Sequence, residues 1–127
     1  MGKKDSNGLR RKLVAIVGVG ALGSVAANLL ARAGVSLRLI DRDFVEESNL
    51  QRQSLFDLND VNKLKADVAK EKLEKINEDT VVHSYPVDLD KDNLQILDVD
   101  LILDCTDNFE TRFLINDYCK YKKILWI

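Results

Sequence analysis

The feature that most constrains the fold is a glycine-rich turn between an apolar run and a helical pattern. Residues 13–17 (LVAIV) are uninterruptedly apolar, which is typical of a strand buried on both faces of a parallel sheet. The turn that follows, with Gly18, Gly20 and Gly23, matches G-x-G-x-x-G. In this motif the first glycine permits a tight turn, the second lets a phosphate or ribose approach the backbone, and the third lets helix and strand pack closely. The context predicts a nucleotide-binding turn.

Strand and helix patterns alternate along the rest of the chain. Helices are predicted over residues 21–33, 63–76, 94–97 and 109–121, and strands over residues 35–40, 80–87, 99–103 and 124–127. In the first helix the apolar positions recur at helical spacing and are Leu22, Val25, Ala26, Leu29 and Leu30. In the last helix they are Phe109, Phe113, Ile115, Tyr118 and Cys119. The aromatics of this last helix and Trp126 are interpreted as core or as dimer-contact surface. We predict an α/β fold with a Rossmann-like, open and mainly parallel sheet, helices on both faces, and truncation in the fifth strand.

The chain is expected to divide into a flexible basic arm (1–12) and a nucleotide-binding domain (13–127), the first part of a longer domain. Lys and Arg number 19 against 21 Asp and Glu, a net charge of −2, so a dedicated nucleic-acid binder is disfavoured. No apolar run reaches the roughly 18 residues of a membrane span, and no signal peptide is recognisable. Cys105 and Cys119 lack metal-ligand spacing and are interpreted as core thiols. His83 is expected to be packed. A reducing, cytoplasmic location is expected.

Asp41 ends the strand predicted after the glycine turn. A carboxylate at this position can accept hydrogen bonds from a ribose 2′-hydroxyl, and it disfavours a 2′-phosphate such as that of NADP. NAD, FAD and ATP remain equally compatible with these two features.

Three charged residues further along the chain favour ATP. A triphosphate carries about four negative charges at neutral pH and calls for several cations and a metal ligand. Arg52, Lys65 and Asp107 provide such a set, and Asp107 follows a strand at the sheet edge where ligands bind. The alternatives are that Arg52 and Lys65 are solvated surface cations and that Asp107 is the N-cap of the helix that begins at residue 108 or 109.

Four linked segments resemble the ThiF/MoeB/HesA family, the adenylating domains related to ubiquitin-activating enzymes. They are GVGALGS at 18–24, LIDRDFVEESNLQRQ at 39–53, KLKA at 63–66 and DCTDNFETRFLIND at 104–117. They occur in the family's order and spacing and cover roughly residues 10–127. Four motifs in register are far more specific than any one of them.

The resemblance implies that ATP and Mg²⁺ are the cofactors. The implied nucleotide-binding residues are Gly18, Gly20, Gly23, Asp41, Ser48, Asn49, Leu50, Gln51, Arg52, Lys65, Asp107 and Asn108. Of these, Arg52, Lys65 and Asp107 are implied to be catalytic. Arg52 would brace the departing pyrophosphate, Lys65 would neutralise the α-phosphate region, and Asp107 would hold Mg²⁺.

The implied reaction is adenylation of the C-terminal carboxylate of a ubiquitin-like sulfur-carrier protein that ends in Gly-Gly, by a homodimeric enzyme, as in thiamine or molybdopterin biosynthesis. Alternatives are a tRNA-modification adenylating dehydratase, an NAD-binding dehydrogenase domain and a catalytically inactive fragment. The family's Arg-Tyr-x-Arg-Gln segment has no counterpart in residues 1–12. Its crossover cysteine and its paired CxxC motifs for zinc are expected beyond Ile127.

Overall fold

Five parallel strands form the central sheet in the computed structural model, which describes residues 12–50 and 55–127. Along the chain they are β1 (Leu13–Val17), β2 (Ser36–Ile40), β3 (Val82–Tyr85), β4 (Leu101–Asp104) and β5 (Leu125–Trp126). Their order across the sheet is β3-β2-β1-β4-β5, and every neighbouring pair is parallel. The direction of winding reverses between β1 and β4, which creates the switch point at which open α/β sheets bind ligands.

Helices connect these strands on both faces of the sheet. They are α1 (Ala21–Arg32), α2 (Lys65–Ile76) and α3 (Phe109–Lys122), with short 3₁₀ helices at Glu47–Asn49, Leu58–Asp60 and Leu94–Leu97. Side chains of α1 and α2 belong to one apolar cluster, and side chains of α3 belong to the other. The predicted Rossmann-like class is therefore confirmed. Within the described residues, no helix is both long and apolar enough to cross a membrane.

The central strand β1 is buried on both faces, as its apolar run predicts. Val14 and Ile16 belong to the cluster under α1 and α2, whereas Ala15 and Val17 belong to the cluster under α3. Each of these four side chains is at most 4% exposed. Because β1 lies at the middle of the sheet, it fixes the direction of the glycine turn that leaves its carboxyl end.

The buried face of α1 differs from the prediction. Leu22, Val25 and Leu29 are more than half exposed, although all three belong to the apolar pattern that predicts this helix. The buried positions are occupied by the small residues Gly23, Ser24, Ala27 and Ala31. Small residues let the helix backbone approach β1 closely, and the larger side chains are left on the outer side. A sequence pattern shows which residues of α1 are hydrophobic, but it does not show how closely the helix approaches the sheet.

Two aromatics of α3 and the histidine are exposed. Phe109 and Phe113 are 73% and 67% exposed, and α3 buries only Ile115 and Cys119. The core interpretation of these two aromatics is therefore wrong, and the dimer-contact alternative stays a prediction. His83 is exposed rather than packed, because β3 is an edge strand and its neighbour Val82 takes the inward position. The predicted basic arm (1–12) lies outside the described residues except for Lys12, which is exposed.

A short ionic network fixes the segment that leads into α2. Asp57 and Asp60 form a reciprocal capping box around the 3₁₀ helix, and Lys72 of α2 donates to both carboxylates. Asp60 is buried. Burial raises the pKa of Asp60, but the hydrogen bonds and charge of Lys72 and the N–H of Asp57 outweigh it, and the net pKa lies below the ordinary value. For Lys72, burial lowers the pKa, but the two carboxylates raise it above its ordinary value.

Replacing Asp60 by Asn is expected to lower the free energy of unfolding at pH 7 by about 1–3 kcal/mol, because a buried hydrogen-bonded charge pair is broken. The contribution of Asp60 is present above the unfolded carboxyl pKa of 3.8 and is lost as the pH falls through the lowered folded value. Urea unfolding from pH 7 to pH 2.5 should show the two proteins converging at low pH. Glu71→Gln, an exposed change on α2, serves as the control, with a change within about 0.5 kcal/mol. A pH-independent difference would contradict the expectation.

Candidate functional site

A cleft of about 610 Å³ opens at the carboxyl end of the sheet, above the switch point between β1 and β4. The ends of β1, β2, β4 and the start of α2 all contribute to it. Its lining residues are Val17, Gly18, Gly20, Ile40, Asp41, Arg42, Asp43, Lys65, Val87, Asp88, Leu89, Cys105, Thr106, Asp107, Asn108 and Thr111. Residues from four separate predicted motifs thus meet in one place.

Two of the three glycines of the turn have a steric reason to lack a side chain, and the third lies at the open cleft. Gly18 has a φ of +94°, and a Cβ there would lie 2.8 Å from the carbonyl oxygen of Cys105. A Cβ on Gly23 would lie 1.9 Å from the carbonyl oxygen of Gly18, closer than atoms can approach. A Cβ on Gly20 would meet nothing within 4 Å, because that position faces open space in the cleft.

Helix α1 begins at this turn. Gly20 is its N-cap, no side chain among the described residues caps it, and its first turn contains no acidic residue. The first N–H groups of a helix lack intrahelical partners and carry the positive end of the helix dipole. The arrangement suits a phosphate group of a ligand in the cleft.

Asp41 is held in place by two backbone N–H groups. Its carboxylate oxygens accept hydrogen bonds from Val19 and from Asp43, each at 2.8 Å. An ionised carboxylate has about four lone-pair directions, so each oxygen retains capacity for a ligand hydroxyl. The first of these bonds also ties the end of β2 to the glycine turn, a positioning role that the sequence had not indicated.

Lys65 is buried at the edge of the cleft. It is the first residue of α2 and is 6% exposed, and its backbone N–H donates to the carbonyl of Asp43 at 2.9 Å. Its ammonium forms no ion pair or hydrogen bond with any residue in 12–50 or 55–127. A buried cation without a counter-ion is unfavourable, and so is a cation at a helix N-terminus. An anion in the cleft would relieve both costs.

Asp107 lies on the loop that joins β4 to α3. The helix cap is Asn108, whose Oδ1 accepts from the N–H of Thr111 at 3.1 Å. The alternative that Asp107 caps α3 is therefore wrong. Asp107 is exposed at the cleft, and its carboxylate forms no hydrogen bond or ion pair with the described part of the chain.

A second carboxylate, Asp104, holds this loop in place through hydrogen bonds. It was not among the site residues predicted from the sequence. Its side chain is 2% exposed and accepts from the backbone N–H and hydroxyl of Thr106, at 3.0 and 2.7 Å, and from Nε of Arg112 at 2.9 Å. An acidic residue closing a strand with an arginine eight residues later, in the following helix, is the pattern that could have indicated it.

The wall of the cleft opposite the glycine turn comes from β2 and the segment after β3. Arg42 and Asp88 form an ion pair at 3.2 Å, with side chains 68% and 65% exposed, so the pair contributes only about 0–1 kcal/mol to stability. Val87 and Leu89 supply apolar surface beside it. An apolar wall with a polar rim suits the base of a nucleotide.

The remaining predicted site residues are not brought into this cleft or are not described. Ser48 is exposed in the 3₁₀ helix at Glu47–Asn49, and Leu50 packs against the larger apolar cluster. The side chain of Asn49 is outside the described set, as are Gln51 and Arg52. Their expected phosphate contacts stay predictions.

The two cysteines are free thiols. Burial, followed by the charge of Asp104, raises the pKa of Cys105, and burial raises that of Cys119. Both are therefore poor nucleophiles at neutral pH. Within the residues that the structure describes, no three Cys, His, Asp or Glu side chains are grouped to hold a metal ion.

A parallel α/β sheet with a helix N-terminus, a carboxylate and a buried cation at its switch point is typical of a nucleotide-binding α/β domain. The chain belongs to the ThiF family, whose sequence profile matches residues 1–127. The resemblance seen in the four sequence segments is confirmed.

Curated relatives support the family assignment. The chain is 43% identical over 122 residues to the sulfur carrier protein ThiS adenylyltransferase of Bacillus subtilis, covering 92% of this chain and 36% of that protein. It is 42% identical over 120 residues to the sulfur carrier protein adenylyltransferase of Thermus thermophilus, covering 92% of this chain and 44% of that protein. The chain thus spans less than half the length of these relatives.

Solved structures share the fold closely. The E. coli tRNA N6-threonylcarbamoyladenosine dehydratase TcdA, in complex with ATP, superimposes with a TM-score of 0.90 at 29% identity, over 98% of this chain and 53% of that one. E. coli MccB superimposes with a TM-score of 0.88 at 30% identity, over 95% of this chain and 38% of that one.

Proposed function

We propose that the chain forms the ATP-binding part of an enzyme that adenylates the C-terminal carboxylate of a ubiquitin-like, Gly-Gly-ended sulfur-carrier protein. The observation that carries the proposal is the buried ammonium of Lys65, which has no partner among the described residues. It lies in the same cleft as the N-terminus of α1, which no described side chain caps, and the carboxylates of Asp41 and Asp107. The named activities of the Bacillus and Thermus relatives support this substrate class.

Lys65 and the start of α1 supply positive charge for the phosphates. A nicotinamide dinucleotide is served by the glycine turn and helix dipole alone, whereas a triphosphate requires further cations. Asp41 accepts from the ribose hydroxyls, and its two bonds to the backbone hold it in position for them. Arg52 is assigned to the departing pyrophosphate on the family resemblance.

Mg²⁺ fits Asp107, one of four aspartates that line the cleft. This ion is commonly bound by one or two carboxylates together with substrate phosphates and water, without a complete protein cage. Asp107 is an exposed carboxylate without a partner among the described residues, and it would hold the ion. When bound, Mg²⁺ supplies charge neutralisation to the phosphates.

The chemistry needs positioning more than proton transfer. The attacking carboxylate is already ionised at pH 7, so no general base is required. Its oxygen forms a bond to the α-phosphorus of ATP while the bond from that phosphorus to the bridging oxygen of the β-phosphate breaks, which yields an acyl-adenylate and pyrophosphate. Lys65 stabilises the negative charge that develops on the phosphate oxygens, and the rigid glycine turn holds the α-phosphate in line.

A carboxyl group on a modified tRNA base is the second candidate acceptor. The high structural similarity to TcdA favours it, whereas the net charge of −2 shows no basic excess of the kind that favours tRNA binding. We further propose that the enzyme is a homodimer, that it acts in the cytoplasm, and that any zinc site lies outside this chain. The predicted arm, 1–12, and domain, 13–127, are part of the same proposal.

ATP–pyrophosphate exchange tests the proposal. With the sulfur carrier ThiS of Bacillus subtilis as the acceptor, exchange should require both the carrier and Mg²⁺, and Asp107→Ala should lower its rate by about 10²-fold. Glu110→Ala, an exposed acidic change three residues away, is the matched control and should leave the rate within about twofold. Exchange that is unaffected by Asp107→Ala, or that proceeds equally without Mg²⁺, would remove Asp107 from the mechanism.

A further inference from the structure

We propose that Arg112 is a positioning residue that directs Asp107 into the cleft, acting through the buried carboxylate of Asp104. This inference rests on the proposed function, in which Asp107 holds Mg²⁺ beside the phosphates. Arg112 does not line the cleft, so any effect on the nucleotide must pass through the loop that it holds.

The loop from β4 to α3 is fixed around Asp104. This carboxylate accepts three hydrogen bonds, two from Thr106 and one from Arg112. Arg112 also donates from its Nη2 to the carbonyl of Thr106 at 3.0 Å. Asp104 and Arg112 together therefore occupy the backbone N–H, the hydroxyl and the carbonyl of Thr106, the residue that immediately precedes Asp107.

The flanks of the loop are also anchored. The N–H of Cys105 donates to the carbonyl of Val17 at 2.8 Å, and the side chain of Asn108 caps α3. Asp107 has no side-chain partner of its own among the described residues, so its direction is set by the backbone on either side. On the N-terminal side that backbone is held by Thr106, and through it by Arg112.

Arg112 also neutralises the negative charge of Asp104, the carboxylate that holds the loop. The Asp104 side chain is 2% exposed, and a buried carboxylate without a cation is strongly disfavoured. The guanidinium is planar and has donors on several nitrogens, so it can bond the carboxylate and the Thr106 carbonyl at once. It lies 5.9 Å from the centre of the Phe109 ring, which limits its freedom further. A lysine ammonium is a single point charge without this planar pair of donors, so it could not reproduce the same two-bond geometry.

The test is the gain in ATP affinity that Mg²⁺ gives, measured by calorimetry in the presence of Mg²⁺ and in EDTA. We expect Arg112→Gln to reduce this gain about 10-fold or more, in the range seen when residues that orient metal ligands are lost. The affinity of Arg112→Gln for ATP in EDTA should stay within twofold of that of the unchanged protein. Asp107→Asn should abolish the gain, and the double variant should be no worse than Asp107→Asn, since both changes remove one effect.

Two further variants separate positioning from general destabilisation. Arg112→Lys should recover part of the gain, and Lys120→Gln, an exposed change on α3, should leave it unchanged. Hydrogen exchange at the N–H of Thr106 should quicken in Arg112→Gln without Mg²⁺ or ATP. If Arg112→Gln does not fold, the gain in ATP affinity from Mg²⁺ is measured on Arg112→Lys and Asp104→Asn instead.

The failures are distinguishable. If Asp107→Asn keeps the full gain, the proposed metal role of Asp107 is wrong, and this inference falls with it. If Asp107→Asn loses the gain but Arg112→Gln and Asp104→Asn keep it, or if the double variant is additively worse, Asp107 is oriented without Arg112 and only the positioning role is overturned.

Discussion

Replacing Lys65 by methionine is expected to lower the rate of ATP–pyrophosphate exchange by about 10³-fold and, at the same time, to stabilise the fold. The loss is expected because, in the proposed mechanism, the buried ammonium stabilises developing phosphate charge in a site of low dielectric, where a single donor contributes about 10²–10³. The gain in stability follows because Lys65 is 6% exposed, has no counter-ion in the described residues, and lies at the positive end of α2. Relief of these costs should raise the free energy of unfolding by about 1 kcal/mol.

The loss of exchange and the gain in stability can both be measured by comparing Lys65→Met with the unchanged protein. Exchange gives the rate, and thermal unfolding without nucleotide gives the stability. Lys63→Met is the matched control because Lys63 is exposed two residues earlier, and it should change neither quantity appreciably. A Lys65→Met protein that exchanges at a near-normal rate would contradict the proposed role. A protein that loses exchange only because it unfolds would contradict the view that Lys65 is retained for ligand binding at the expense of stability.

Replacing Gly23 by alanine should disrupt the glycine turn and the packing of α1. The added Cβ would lie 1.9 Å from the carbonyl oxygen of Gly18 and 3.4 Å from a methyl of Ile16. Neither atom belongs to a flexible side-chain end, so the helix must move away from β1. We expect the free energy of unfolding to fall by about 3 kcal/mol or more, with loss of ATP binding, as measured by urea unfolding and calorimetry.

Gly20→Ala provides the comparison within the same motif. Its Cβ would meet nothing within 4 Å, and its φ of −84° is accessible to alanine. The fold should lose no more than about 1 kcal/mol, the cost of a weaker N-cap, while ATP binding weakens because the methyl group projects into the cleft. Equal destabilisation by the two substitutions would show that the three glycines are not distinguished as described.

The sheet was predictable because its signals are local. The apolar run of β1, the stop at Gly34 and the apolar strand before Asp104 each reveal an element by composition alone. The buried side of α1 was not predictable in the same way. A hydrophobic pattern favours Leu22 and Leu29, yet close packing against β1 selects Gly23 and Ala27. The side of α1 that is buried depends on the distance between the backbones of α1 and β1, and these two elements come together only when the chain folds.

The site was partly predictable because parallel strands end at one edge. Gly20, Asp41 and Asp107 each follow a strand, and the structure places all three along one cleft. Two properties required coordinates. The sequence predicts Lys65 as a site cation, but its burial is visible only in the structure. Asp104 and Arg112 lie on different elements, so their bond depends on how α3 crosses the sheet.

Calorimetric titration of the protein with ATP in Mg²⁺, and separately with NAD, tests the central claim that one cleft binds a triphosphate together with its metal. We expect one ATP per cleft, weaker ATP binding in EDTA, loss of most ATP affinity in Lys65→Met, and no comparable heat from NAD. Binding of NAD without binding of ATP, or ATP affinity that is indifferent to both Mg²⁺ and Lys65, would contradict it.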